Sequence, residues 1–364
     1  MLFVVEQYAE ERTTFYRGFF EGLTARGWAV HVFNLAKSPL FEEHVAPFVS
    51  EFVEMDLTRS YQRAWNPLRE IVARLQPTVV QGIETIPTFH GVGALRGGRV
   101  HPPVVYGRRH NITAGWKHRW MDWMATRGAA RVVAVSDAAA DIARAEHPRH
   151  ARKVRAIFSG VDLPEDVHDP SEQAMLDALA ADHRFNVLLL SRLRPIKGHD
   201  VALRAAGLLK ERVPNLRLLF VGDGPDEERL RGIAGELGLG EALTMIPHVE
   251  GVGGFLEMAD VVIIPSYSDA FPKVGIEAFA KGRAVVASSV GGLVDLIDSG
   301  ENGLLVPPAD PQALAEALAR LHEAPDLAAE LGRRARACYE RGYTLDSMVD
   351  AYVELYEELR GLPR

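Results

Sequence analysis

The stretch Asn186-Val187-Leu188-Leu189-Leu190-Ser191-Arg192-Leu193-Arg194-Pro195-Ile196-Lys197-Gly198 changes character within a few residues. An apolar run gives way to a turn holding two arginines, a proline, a lysine and a glycine. The run is short and has no polar alternation, which predicts a strand covered on both faces (186–191). An amphipathic segment follows at 200–211. Strand, polar loop and helix in that order form the repeating unit of a parallel α/β sheet.

The same unit recurs in both directions. Towards the C-terminus, strands are predicted at 216–221, 243–246, 261–265 and 284–287, with helices at 226–237, 275–281 and 311–321. Towards the N-terminus, strands are predicted at 2–6, 28–33, 78–83, 104–107, 131–135 and 154–158, with helices at 14–26, 67–75 and 137–146. The rhythm breaks between 161 and 183, where Pro164, Pro170 and several acidic residues collect. The reading is therefore an α/β protein of two doubly wound, Rossmann-like parallel-sheet domains facing a cleft. The N-terminal domain is placed at 1–165, a linker at 166–183 and the C-terminal domain at 184–340. A last segment, 341–364, is expected to be a helix that packs back toward the N-terminal domain. In open sheets of this kind ligands lie beyond the carboxyl ends of the strands, so the loops after the strands are the ones to inspect.

Composition sets the outer limits. A chain of 364 residues exceeds the usual single core, and its 47% hydrophobic and 25% charged content is that of a folded globular protein. No apolar run approaches the ~20 residues that a membrane-spanning helix needs. The first residues, Met1-Leu2-Phe3-Val4-Val5-Glu6, read as a strand and not as a leader. One cysteine, Cys338, excludes an internal disulfide framework and suits a reducing compartment, so the expected location is cytoplasmic. Net charge is −8, but residues 1–165 hold 21 Lys and Arg against 17 Asp and Glu, leaving 20 against 32 for the rest. That asymmetry fits either an anionic partner for the first half or ordinary solvated faces.

Three loops stand out. Arg192 and Lys197 lie five apart across a proline turn at a strand end, where both can converge on one anion; a guanidinium grips phosphate bidentately and an ammonium adds a point charge. Two solvated cations are the plain alternative. Val221-Gly222-Asp223-Gly224-Pro225 follows the next strand, and its glycines permit close approach to a ligand or a tight turn. It is not the dinucleotide fingerprint, because Pro225 interrupts it. The longest signal is Pro265-Ser266-Tyr267-Ser268-Asp269-Ala270-Phe271-Pro272-Lys273-Val274-Gly275-Ile276-Glu277. It reads as strand end, polar loop and helix start, with the amides of Lys273, Val274 and Gly275 able to meet phosphate. Glu277 sits about one turn in, where a carboxylate can hold two vicinal hydroxyls or simply favour the helix start. Val290-Gly291-Gly292 is a further close-approach loop.

Taken together with Gly303-Leu304-Leu305-Val306, these blocks resemble the large retaining glycosyltransferase family of the GT-B fold, family 4. The resemblance covers the whole second half, in order and at the family's spacing. It implies a nucleotide-diphosphate sugar donor, UDP- or GDP-linked, with the diphosphate meeting Arg192 and Lys197, backbone contacts at Gly222, Lys273, Val274 and Gly275, and the ribose held by Glu277. The family's two acidic residues separated by seven stand here as Asp269 and Glu277, with aspartate in the first place. In the first half, Val133-Ala134-Val135-Ser136 and Gly160-Val161-Asp162 are similar to family segments. The glycine pair after the first strand is replaced by Gln7-Tyr8-Ala9-Glu10-Glu11-Arg12-Thr13-Thr14, where Thr13 or Thr14 can cap the following helix. His110, beyond the strand at 104–107, corresponds to a family histidine facing the donor sugar, so His110, Arg192, Lys197 and Asp269 form the expected catalytic set. Arg108 or Arg109 is offered as a contact for an acidic acceptor.

No Asp-x-Asp triplet occurs, so no metal and no other cofactor is expected, and the cations must neutralise the leaving diphosphate. The expected activity is retaining glycosyl transfer to a glycan, lipid-linked or small-molecule acceptor in glycan biosynthesis, with no nucleic acid partner. A nucleotide-sugar epimerase of the same fold and a non-catalytic nucleotide-sugar binder are the alternatives. Trp116, Trp120 and Trp123 share one helix face among Lys117, His118, Arg119 and Arg127. An aromatic stripe in the core is the favoured reading of that face. The alternative is peripheral contact with the inner face of the membrane or with a lipid-bearing acceptor.

Overall fold

The computed structural model describes residues 1–6, 13–55, 64–96, 98–108, 115–163, 169–249 and 251–361. It divides into two compact units, one formed by residues 1–160 with 345–364 and the other by residues 161–344.

The first unit is built on seven parallel strands: β1 (Leu2–Val5), β2 (His31–Asn34), β3 (Glu51–Glu54), β4 (Val80–Ile83), β5 (Val104–Arg108), β6 (Arg131–Ala134) and β7 (Val154–Ala156). Their order is β3-β2-β1-β4-β5-β6-β7. β1, β4 and β5 are buried at every position, as strands covered on both faces must be. The terminal helix Leu345–Arg360 belongs to this unit. Val349 fills the space beside Gly22, where a Cβ would come within 2.8 Å of its methyl. Tyr356 is fully buried and donates to Gln81 Oε1 of β4 at 3.0 Å. Arg26 pairs with Asp346 and Asp350 at the rim.

The second unit holds six parallel strands: β8 (Phe185–Leu190), β9 (Leu216–Val221), β10 (Leu243–Ile246), β11 (Val261–Ile264), β12 (Ala284–Ser288) and β13 (Leu304–Val306). Their order, β10-β9-β8-β11-β12-β13, places β8 at the centre, with the winding running outward on both sides. One core layer gathers Val187, Leu189, Phe220 and Ile263 with Val201, Ala205, Leu314 and Leu318. The opposite layer gathers Leu188, Leu219, Val262 and Val285 with Ile276, Phe279, Ala335 and Tyr339.

The structure differs from the sequence reading in several places. Residues 170–180, expected within the linker, form the helix Pro170–Ala180, and its Leu176 is buried in the second unit's core. Pro170 opens that helix, because a proline at the first position loses no hydrogen bond. β3 was not predicted; Glu-Phe-Val-Glu is a half-exposed edge strand with little apolar signal. The helix Thr85–Leu95 is also additional. It is buried around most of its circumference and so shows no amphipathic period. The core reading of the tryptophan stripe is overturned, since Trp116, Trp120 and Trp123 are 75%, 51% and 42% exposed. No helix among the described residues is long and apolar enough to cross a membrane.

Candidate functional site

The winding of the sheet reverses between the parallel strands β8 and β11, so the helices that follow them cover opposite faces and a crevice opens at the strands' carboxyl ends. Those two loops carry most of the residues singled out from the sequence. After β8 the chain runs through a short 3₁₀ turn, Pro195–Lys197, and enters the helix His199–Leu209 at Gly198. Gly198 has φ +71°, and a Cβ there would stand 1.9 Å from the Pro265 carbonyl oxygen. Only glycine lets the β8 loop sit against the end of β11. The contact is sealed by the Tyr267 amide donating to the Ile196 carbonyl at 2.9 Å.

That approach brings Lys197 and Asp269 together. Lys197 Nζ lies 2.8 Å from Asp269 Oδ2, with the lysine side chain 32% exposed and the aspartate 9%. Asp269 is itself held on two further sides. Its Oδ1 accepts from the Phe271 amide at 3.2 Å, and its carbonyl accepts from the Gly292 amide at 2.9 Å. Gly291, at φ +50°, permits this contact, because a Cβ there would be 1.9 Å from the Asp269 carbonyl oxygen. The Val290-Gly291-Gly292 loop therefore makes its close approach to backbone. Gly222 and Gly224 do the same on the other side, passing the Ser191 and Leu193 carbonyls where a Cβ would meet oxygen at 2.4 and 2.3 Å. Arg192 lies between those two residues and is exposed.

Glu277 lies on the helix Lys273–Ala280 and is buried, with its Oε1 2.8 Å from the largely exposed Lys273 Nζ. No side chain caps this helix's first turn. Val274 packs partly into the core, and Gly275 has a packing reason of its own, since a Cβ would press on Leu296 at 2.8 Å and Ile264 at 3.2 Å. The predicted residues thus form two separate ion pairs, one joining two loops and one within a helix.

Several polar groups beside these pairs gave no signal in the sequence. His199 is buried, its Nε2 is 3.3 Å from Ser191 Oγ, and burial depresses its pKa to about 4. Its Nδ1 and the buried Ser266 Oγ have no hydrogen-bond partner among the described residues. Tyr267 presents a partly exposed ring while its hydroxyl donates to Asp200 Oδ2 at 3.2 Å. A histidine after glycine and a tyrosine in a polar loop look like surface residues until the strand order is known.

In the first unit, His110 and Arg109 lie outside the described residues, as do residues 7–12 of the loop after β1. Arg108 is described and does not face an acceptor. It is 3% exposed, its Nε is 3.7 Å from Asp122, and it is hydrogen-bonded to Glu146. Asp122 also accepts from the Tyr106 hydroxyl at 2.7 Å and meets His147 Nε2 at 2.6 Å. Burial raises the Asp122 pKa, but the His147 hydrogen bond and the Arg108 charge outweigh it and hold the carboxyl below its ordinary value. Asp122, Glu146 and His147 are close enough to share a cation. The Arg108 guanidinium already supplies positive charge to both carboxylates there. Ser136, at the end of β6, caps the next helix by accepting from the Ala139 amide.

Comparison with known proteins divides at the same place as the fold. The family described as glycosyl transferases group 1 matches residues 172–337, and Glycosyltransferase Family 4 matches residues 14–165. The D-inositol 3-phosphate glycosyltransferase of Saccharomonospora viridis is 37% identical over 223 residues, which are 57% of this chain and 52% of that protein. The chain thus spans about half the length of that relative. The alpha-D-kanosaminyltransferase of Streptomyces kanamyceticus is 26% identical over 79% of this chain and 74% of its own. Among solved structures, the Anabaena HepE protein in complex with UDP superposes with a TM-score of 0.84 at 20% identity, covering 98% of this chain and 99% of that one. At that identity the likeness concerns the fold, which is GT-B.

Proposed function

This chain belongs to the GT-B glycosyltransferases of family 4, and we propose that it moves a sugar from a nucleotide-diphosphate donor to an acceptor hydroxyl, with retention and without a metal ion. The observation that carries this reading is the meeting of Lys197 and Asp269 at the carboxyl ends of β8 and β11. A cation on one loop and a carboxylate on the other suit the two ends of a sugar diphosphate. Arg192 and Lys197 face the diphosphate and neutralise the charge that grows as the glycosidic bond breaks, a stabilisation exerted mainly in the transition state. Glu277, buried and already ionically engaged, holds the ribose hydroxyls. Asp269 addresses the sugar. The uncapped first turn offers the amides of Val274 and Gly275 to the phosphates, while the Lys273 amide donates to the Phe271 carbonyl at 3.1 Å.

Metal independence rests on this cationic set and on the absence of an Asp-x-Asp triplet from the sequence. The donor is UDP- or GDP-linked. By their names, one relative above glycosylates D-inositol 3-phosphate and the other transfers a kanosaminyl group, and the first supports a polyhydroxylated acceptor for this chain.

Thermal denaturation with UDP, GDP and their sugar conjugates tests the donor, since a ligand that binds only the folded state raises its stability. Turnover of the stabilising donor is then followed by NMR with and without EDTA. Transfer to an acceptor with the anomeric configuration kept, unchanged by EDTA, is the expected result. Conversion of the donor sugar with no acceptor present assigns an epimerase, and stabilisation without any turnover assigns a binding protein.

A further inference from the structure

The helix Trp116–Gly128 presents to solvent a face that the fold does not use. At ~100° per residue, Trp116, Trp120, Trp123 and Arg127 fall within an arc of about 60°, opposite Ala125. Ala125, Thr126 and Asp122 are the buried side. Asp122 fixes that side through Tyr106 and His147, and Tyr106 in turn meets Thr85 Oγ1 at 2.8 Å. The helix is thus anchored from within, and three large apolar rings remain outside. Among the described residues, only Trp120 has an aromatic neighbour below it, Phe89, at 5.4 Å between ring centroids. The chain's other two tryptophans, Trp28 and Trp65, are not exposed in this way.

The charged side chains described over and beside the rings are cations. Lys117 and Arg119 border the arc, Lys117 Nζ lies 5.8 Å from the Trp116 ring, and Arg127 lies 5.3 Å from the Trp123 ring. Arg96 reaches Met124 from the neighbouring helix. At the helix's end Lys153 is bound to the Arg127 and Ala129 carbonyls, and Arg127, Arg149 and Lys153 surround His150. The helix's one carboxylate, Asp122, is buried and engaged. Exposed indoles rimmed by cations match a bilayer surface, where rings enter the headgroup boundary and cations meet anionic lipid.

We propose that Trp116, Trp120 and Trp123, with Lys117, Arg119 and Arg127, form a docking face for an anionic membrane surface. The face lies wholly in the first unit and does not depend on the activity proposed above. It makes the protein a peripheral binder that is released by salt.

The test is flotation of the full chain with vesicles of phosphatidylcholine alone and of phosphatidylcholine mixed equally with phosphatidylglycerol, alongside sedimentation velocity without lipid. The native chain is expected to float with the anionic vesicles only, and less so as salt shortens the Debye length from about 10 Å at 0.1 M to about 3 Å at 1 M. Changing Lys117, Arg119 and Arg127 together to Gln should lower partition about a hundredfold, at ~1 kcal/mol for each cation. Trp116→Ala with Trp123→Ala should abolish flotation while the chain keeps a cooperative melt lowered by only a few degrees, because Trp116 is mostly in solvent and Trp123 is 42% exposed. Failure of the native chain to float with anionic vesicles overturns the proposal. A dimer in the absence of lipid that the tryptophan variant abolishes also overturns it and assigns the face to a second copy of the chain.

Discussion

Lys197 Nζ and Asp269 Oδ2, 72 residues apart in the chain, stand 2.8 Å from one another across two loops. The lysine is the more exposed partner, so its charge is only partly screened by the carboxylate and is available to a competing anion. A diphosphate entering the crevice would take Lys197 from Asp269 and leave that carboxylate to the sugar. Asp269→Asn is therefore expected to bind free nucleoside diphosphate as well as the native chain or up to several-fold better, while turnover drops. Lys197→Ala and Arg192→Ala should each lose roughly 2 to 4 kcal/mol of transition-state stabilisation with the fold intact. Steady-state kinetics and calorimetry on the three variants check this. Native turnover in both cation variants would remove the diphosphate from these residues.

Glu277 gives a second, separable expectation. Its carboxylate is buried and bonded to Lys273, whose side chain is mostly in water. Hydrogen bonds to a charged group are worth ~1.5 to 3 kcal/mol, so Glu277→Gln should weaken nucleoside diphosphate binding by about tenfold or more. Lys273→Ala is the control, since it removes the ion pair but keeps the carboxylate. Unchanged affinity in Glu277→Gln would leave the glutamate as a partner for Lys273 and the helix start.

How far the sequence reaches can be judged from these same residues. Lys197 and Glu277 were legible because short apolar strands mark where loops begin, and loop positions fix which side chains reach the sheet's carboxyl edge. Asp269 and Lys273 were legible in the same way, but the pairings were not. The Lys197–Asp269 contact depends on β8 and β11 being neighbours, which no local pattern encodes. The helix Thr85–Leu95 was silent because a segment buried almost all round has no polar face to set a period. The tryptophan stripe was misjudged for the opposite reason. Large apolar residues at helical spacing normally turn inward, and here the inward side is taken by Asp122, Ala125 and Thr126. Arg108 looked like a strand-end cation for an acceptor, yet it closes a buried network with Glu146 and Asp122.

Gly198 should be, with Gly291, among the least replaceable glycines of the second unit's loops. Alanine there combines left-handed strain of ~1 to 2 kcal/mol with a Cβ 1.9 Å from the Pro265 carbonyl, which must be relieved by moving backbone. Gly282 has a similar φ of +65° but its nearest neighbour is 3.7 Å away, so Gly282→Ala carries the strain alone. Denaturant unfolding should therefore show Gly198→Ala destabilised by about 3 kcal/mol or more and Gly282→Ala by about 1 kcal/mol. Equal losses would mean that the two loops separate without cost.

Each unit also carries a buried histidine that must stay neutral. Burial lowers His90 and His199 from the ordinary 6.5 to about 4. Between those values the unfolded chain holds more protons than the folded one, so stability is complete above pH 6.5 and is lost as pH falls toward 4. Each group contributes at most about 3 kcal/mol to that loss. Melting temperatures between pH 7 and pH 4.5 should fall steeply for the native chain and less steeply for His199→Leu. Parallel slopes would assign the acid limb to carboxylates alone.

The sharpest test of the helix Trp116–Gly128 compares two positions on it, Trp120 and Asp122. Size alone favours the tryptophan as the more costly loss, since truncating a fully buried one removes ~3 to 5 kcal/mol. Here about half of Trp120 is in water and its ring meets Phe89 at a tilt, so Trp120→Ala should cost roughly 2 kcal/mol. Asp122 is smaller but buried, and it satisfies Tyr106 and His147 while balancing Arg108. Asp122→Ala would leave the guanidinium buried beside Glu146 alone, and breaking a buried pair typically costs ~3 to 5 kcal/mol. Urea unfolding of the two variants should therefore rank them Asp122→Ala well below Trp120→Ala. The reverse order would place the tryptophan in the core and the carboxylate in solvent, with the helix turned by about half a revolution from the orientation described.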